Sequence, residues 1–297
     1  MLAGRRDRCN RDELAASEGV LPSQPMRPRR STLAALALTI AQVGGCVPEP
    51  ASAVEIRSAV SELVDQGRAM AIEHALVNLT TNLDPTPSPA ALAAAVQASV
   101  AAAVPCAVVS AADDTTVLID FGAGAATCSV GDRSFAGALR VSFSEPTPDG
   151  RLATISFVGL NSAGSGLTGT MRVTWGVDET RRVVSELRLD TPDLRQIEIQ
   201  SDRIQRTYRG ALQIDGWHRW QTLMGRWKME LRGWEQDPTA PVPDRGIADI
   251  ATPYEHDIIL DFTGPRAEGQ ELRANGGRRD HVFAVAADGE IIDLGDD

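Results

Sequence analysis

A change of hydrophobic period constrains this chain more than any other feature. Before residue 105 apolar residues recur at helical spacing, and from Thr116 onward they recur at every second position. From Leu167 to Trp175, one face carries Leu167, Gly169, Met171, Val173 and Trp175 while the other carries Thr168, Thr170, Arg172 and Thr174. Such sorting means a strand with one dry and one wet face, as in antiparallel sheets. Val117, Ile119 and Phe121 repeat the pattern, as do Leu139, Val141 and Phe143, and then Ala153, Ile155 and Phe157. Further strands are expected at 181–189, 195–200, 203–214, 217–223, 226–234, 255–262, 280–286 and 290–294, separated by turns such as Pro148-Asp149-Gly150 and Asp288-Gly289. About ten strands without interleaved helices predict an antiparallel β domain over 106–297, built as a barrel, a sandwich or a strongly bent sheet. The stretch from Gln236 to Pro253, with four prolines, reads as a loop.

Residues 54–105 read differently. Ile56, Val60, Leu63, Val64, Met70, Ala71 and Leu79 lie close to helical spacing with charged residues between them, which predicts an amphipathic helix with a break near Gly67. Asp84-Pro85-Thr86-Pro87 ends it, and Ser88-Pro89 starts a second helix as N-cap and first-turn proline. Leu92, Val96 and Val100 give that helix one narrow apolar stripe before Pro105 closes it. The fold class expected is therefore α+β, a helical hairpin followed by a mainly antiparallel β body.

Upstream, Met26-Arg27-Pro28-Arg29-Arg30 supplies a basic segment, Leu33 to Ala41 a short apolar run, and Val43-Gly44-Gly45-Cys46 small residues before a cysteine. The run is about half of the roughly 20 residues that a membrane span needs. The pattern resembles the lipobox of bacterial lipoproteins. That resemblance implies cleavage before Cys46, a diacylglyceryl group on its sulfur and a membrane partner through the lipid. Residues 1–45 are then the signal-peptide segment, with Met26 expected as the true start because Asp7, Asp12, Glu13 and Glu18 put acids where a signal is basic, and 46–53 form a tether. Arg29-Arg30 before Ser31-Thr32-Leu33 also weakly resembles a twin-arginine signal. With no aspartate at Val47, the resemblance favours the outer membrane.

Residues 1–45 hold 7 of the 29 basic residues and 4 of the 40 acidic ones, so the remainder carries a formal charge of −14. So acidic a chain repels polyphosphate and is not expected to bind nucleic acid. Of the four cysteines, Cys9 lies in the extension and Cys46 takes the lipid, leaving Cys106 and Cys128. In an oxidising envelope these read as one disulfide, the alternative being two buried thiols.

Val117-Leu118-Ile119-Asp120-Phe121-Gly122, followed by Cys128, Arg133, Gly137 and the strand from Leu139 to Phe143, resembles a group of uncharacterised envelope β-lipoproteins. In that group an I-D-F-G strand precedes a glycine, a cysteine and an R-x-G strand start, although the spacing from Arg133 to Gly137 is longer here. The resemblance implies a β-rich envelope protein and brings no catalytic residue.

Chemical motifs are sparse. Gly164-Ser165-Gly166 lacks the spacing of a nucleophile elbow. His74, His218, His256 and His281 show no metal-ligand pairing, and Asp113-Asp114 and Asp296-Asp297 lack the spacing of a calcium loop. Asp120 and Asp261 sit inside apolar strands, where an outward-facing position explains both. No catalytic residue, metal or cofactor is assigned. Four of the five tryptophans fall between Trp217 and Trp234. A two-residue turn at Met224-Gly225 would place Trp220 and Trp227 on a buried face and leave Trp217 and Trp234 as ligand-face aromatics. The reading that follows is a non-enzymatic binding or structural module of the envelope with a protein or glycan partner, and a periplasmic hydrolase or glycan-processing enzyme with a fold-assembled site as the alternative.

Overall fold

The computed structural model describes residues 49–123, 128–130, 133–162, 164–178, 180–191, 195–208, 211–236 and 242–296. Cys46 and the signal segment lie outside them. Helix α1 spans Ala53–Thr81 and α2 spans Pro89–Ala103. Both starts are capped as the sequence requires: the Glu55 amide donates to Ser52 Oγ at 3.2 Å, and the Ala91 amide to Ser88 Oγ at 3.3 Å. Gly67 does not break α1, within which it is buried.

The strands are β1 (Val108–Asp113), β2 (Thr116–Asp120), β3 (Cys128–Val130), β4 (Arg133–Phe143), β5 (Arg151–Ser162), β6 (Ser165–Trp175), β7 (Arg181–Asp190), β8 (Gln196–Tyr208), β9 (Ala211–Thr222), β10 (Gly225–Gln236), β11 (Arg245–Ala251), β12 (Asp257–Pro265), β13 (Gln270–Asn275), β14 (His281–Val285) and β15 (Ile291–Asp296). They form one antiparallel sheet in sequence order, with β3 off the path as a second partner of β4. β1 pairs only with β2 and β15 only with β14 among the described residues, so the sheet is open.

Helix α1 explains the curvature. Its side chains bond to β7, β8, β9, the β11–β12 turn and the β14–β15 turn, so the sheet bends around the helix. Of the 29 residues of α1, 19 are buried, far more than one face of an amphipathic helix provides. Leu92, Val96 and Val100 of α2 close the same core against Val117 and Ile119 at the sheet's first strands. Residues 50–297 are one compact unit. The helices are thus not a segment apart from the β body, and the fold is mainly β rather than α+β.

Three strand expectations change. The expected strand 203–214 belongs to two strands, since β8 ends at Tyr208 and β9 begins at Ala211. The proline-bearing stretch 236–253 contains β11, which pairs β10 and β12 over Arg245–Ala251. β1 and β13 complete the meander, and their short lengths gave no clear alternation. A disulfide joins Cys106, just before β1, to Cys128 at the start of β3, with Cα atoms 5.4 Å apart.

Candidate functional site

Glu55, Glu62, Gln66 and Glu73 on α1 are spaced by 7, 4 and 7 residues, and at 3.6 residues per turn they share one stripe about 40° wide. All four are buried. Glu55 accepts from Thr252 Oγ1 at 2.6 Å and lies 2.8 Å from His256 Nδ1. Glu62 accepts from the Trp220 indole at 2.8 Å, and Gln66 Oε1 lies 2.8 Å from His218 Nε2. Glu73 accepts from Ser185 Oγ at 2.6 Å and forms an ion pair with Arg203 in which both side chains are almost fully enclosed. Ser201 Oγ donates in turn to Ser185 Oγ at 3.1 Å.

The electrostatics of this seam follow from burial. Desolvation pushes His218 well below its usual range, helped by the Arg203 charge, so the imidazole is neutral. Desolvation also lowers His74 to about 4, with Arg181 and Arg203 adding to the effect and the nearby Gln205 side chain opposing it. Glu62 is raised by desolvation despite the Trp220 hydrogen bond. Gln66 Nε2, Glu73 Oε1, Arg203 Nε and Nη1, and His218 Nδ1 find no partner among the described residues. A serine beside a carboxylate resembles a nucleophile and its base, but the whole group is enclosed, and a serine needs a basic partner that a substrate can reach. What the arrangement does chemically is register the helix, because Glu55, Glu62, Gln66 and Glu73 each meet a partner on a different strand or turn of the sheet.

The sequence marks this seam only by its 7-4-7 spacing, set among other polar residues of α1 such as Arg57, Asp65 and Arg68. An amphipathic reading treats Glu55, Glu62 and Glu73 as solvated, and it misses them for that reason.

A surface cleft of about 410 Å³ opens at the other end of α1, lined by Asn82, Leu83, Pro85, Trp175, Val177 and Arg181 among others. The Trp175 indole donates to the Leu83 carbonyl at 3.0 Å, which fixes one wall. Arg181 donates to Asn78 Oδ1 at 2.7 Å and to Asn82 Oδ1 at 3.4 Å, which holds the guanidinium at the cleft. Val177 is 79% exposed at its rim. No group of three or more metal-donor side chains is present among the described residues.

The tryptophan hairpin keeps its expected faces but not its expected turn. Trp220 pairs with Trp227 and Thr222 with Gly225, so the turn residues are Leu223 and Met224. Gly225 has φ +130°, a conformation that glycine adopts without strain. The shift moves each pairing by two and leaves the inward set intact, with Trp220 and Trp227 in the core. Trp217 is half-buried on the outer face beneath the Arg219 guanidinium, 4.9 Å from its ring centroid. Trp234 is not a ligand-face aromatic: it is 0% exposed and donates to Gln236 Oε1 at 2.8 Å. A bulge between Leu231 and Trp234, with Gly233 at φ +57°, inverts the alternation and turns Trp234 inward. Asp120 and Asp261 both face outward, and Asp120 Oδ1 accepts from the Gly122 amide at 2.8 Å.

Comparison with protein-family models, with curated proteins and with solved structures gives no match.

Proposed function

We propose that this chain is a lipid-anchored protein of the bacterial cell envelope that acts as a binding module and not as an enzyme. The observation that carries the reading is that α1 fills the concave side of the sheet, so the interior offers no room for a substrate beside its polar groups. Binding then falls to the surface, where the cleft beside Trp175 and Arg181 combines apolar walls with a guanidinium donor. With Asp84 lining the cleft beside Arg181, this suits a partner with small uncharged polar groups, such as an envelope glycan. The lipobox-like segment before Cys46 supports the anchor, and the formal charge of −14 on the remaining chain argues against nucleic acid.

Fractionation tests the anchor. Cys46→Ala is expected to move the protein out of the detergent-dependent membrane pellet, and unchanged partitioning would overturn it. A photo-crosslinker in place of Val177 tests the cleft against one in place of Thr170 on the outer face. An envelope component captured at 177 and absent at 170 supports binding there, and no capture at either position removes the assignment.

A further inference from the structure

Three features meet at the N-terminal end of α1. Gly225, beside the β9–β10 turn, lies so close to Pro253 that an added Cβ would stand 2.7 Å from the proline Cβ. Thr252 and His256 of that β11–β12 turn hold Glu55. The Ala51 amide donates to the Gly276 carbonyl at 2.9 Å, which brings the β13–β14 turn to the same place. Alternate turns of a meander fall on one end, so these three share an end with the start of the helix.

That end gathers four of the ten large apolar side chains that stand exposed among the described residues. Leu223 is 98% exposed and Val54 81%, and Met224 and Tyr254 are each more than half exposed. Turn positions tolerate polar residues freely, and an apolar cluster at several neighbouring tips marks a contact surface. The chain reaches Ala51 from Cys46 in five residues, which span at most about 18 Å. Exposed charges there do not favour an anionic partner, because Arg226, Arg278 and Arg279 are offset by Glu255, Asp257 and Asp280.

We propose that this end faces the membrane, with Leu223, Met224, Tyr254 and Val54 entering the outer part of a zwitterionic phospholipid bilayer. The proposal rests on the lipid-anchor reading above. A single diacyl anchor on a five-residue tether leaves the body free to tumble, and a second apolar contact fixes its orientation. With α1 running about 43 Å from this end, the cleft at Trp175 then points away from the bilayer.

The full chain, purified from the envelope and reconstituted with phosphatidylcholine vesicles, provides the test. Cys106 and Cys128 are bonded, so Leu223→Cys and Val177→Cys each add one free thiol for an environment-sensitive fluorophore, and peptide mapping restricts the reading to protein labelled there and not at Cys9 or Cys46. The label at 223 is expected to shift to the blue and to lose intensity to nitroxide-bearing lipids, and the label at 177 to do neither. Mass spectrometry of the N-terminal peptide reads the anchor separately. An acylated Cys46 with an aqueous label at 223 overturns the membrane-facing end alone. An unmodified Cys46 overturns the anchor, and a label at 223 that then stays aqueous when vesicles are added overturns the proposal as well. A label shielded from aqueous iodide yet untouched by nitroxide lipid means that a protein covers these turns, and the lipid assignment falls.

Discussion

Trp220 of β9 and Trp227 of β10 lie directly opposite each other with their ring planes 2° apart and their centroids 5.9 Å apart. The stack lies beneath α1, because the Trp220 indole also donates to Glu62. One side chain therefore joins sheet to sheet neighbour and sheet to helix.

Trp220→Ala removes the stacking partner, opens a cavity and leaves the Glu62 carboxyl without its donor. Large-to-small changes of this kind cost about 3–5 kcal/mol, and the stack adds to the loss. Urea unfolding is expected to show a lower midpoint with an unchanged slope. Trp217→Ala, on the wet face, is expected to cost less than about 1 kcal/mol.

The Glu73–Arg203 pair sits deeper. Removing one partner of an enclosed ion pair strands the other charge, at a cost of about 3–5 kcal/mol. Arg203→Met and Glu73→Leu are each expected to destabilise by that order. The double variant Glu73→Leu/Arg203→Met restores much of the loss, since neither charge is left behind. A double-mutant cycle by chemical unfolding measures this, and losses that simply add would show that the two groups are independent.

How far the sequence foretells these features depends on range. Alternation within a strand is local, which is why the inward set Val117, Ile119, Leu139, Val141, Met171 and Val173 reads directly from the chain. Bulges break that locality. The glycine at 233 inverts the alternation for Trp234, and one glycine within an otherwise regular strand does not announce whether it marks a bulge. Closure is less legible still. Whether a meander becomes a barrel, a sandwich or a bent sheet depends on what fills its concave side, and here that is α1, whose partner Arg203 lies 130 residues from Glu73. The charges on α1 read as solvated because nothing local reveals that the sheet supplies their partners. The pairing of Cys106 with Cys128 is legible by elimination among four cysteines, given the expectation of an oxidising compartment.

Stability should fall as the solution is acidified, in a window set by His74. Burial, aided by the nearby arginines, lowers its pKa to about 4, whereas the unfolded chain titrates near 6.5. The folded state therefore binds fewer protons between those values, and unfolding free energy rises with pH through that range. The contribution is complete above pH 6.5 and lost as the pH falls toward 4. It amounts to roughly 3 kcal/mol for a shift of this size. His218, lowered in the same direction, adds to the trend. Glu62 opposes it, because its raised pKa lets the folded carboxyl take a proton above 4.5 and offsets part of the loss at the acid edge. Unfolding midpoints across this range are expected to decline for the parent and to decline less for His74→Gln. Equal slopes for both would remove His74 from the account.

Arg151 gives the last prediction. It is almost fully buried, yet it is held by carbonyl oxygens: Nε donates to Pro85 at 3.0 Å, Nη1 to Ser144 at 2.7 Å and Nη2 to Pro87. Two of these acceptors lie in the α1–α2 connection, where prolines remove amide donors and leave carbonyls in need of partners. One guanidinium with five donors can satisfy three carbonyls of different elements at once, and a lysine ammonium on a flexible stem lacks that fork. Arg151→Met keeps much of the volume while stranding the three acceptors. Pro85, Pro87 and Ser144 are only partly buried and water can meet their carbonyls in part, so the expected loss in global stability is about 1–3 kcal/mol, the cost of one buried unsatisfied group. The effect has a local signature as well, because Pro85 lines the cleft beside Trp175. Hydrogen exchange at the Thr86 amide, which donates to Asp84 Oδ1 at 2.9 Å, should quicken in Arg151→Met and in Arg151→Lys. If Thr86 exchanges at the parent rate in both variants, Arg151 stabilises β4 and β5 alone and does not shape the cleft.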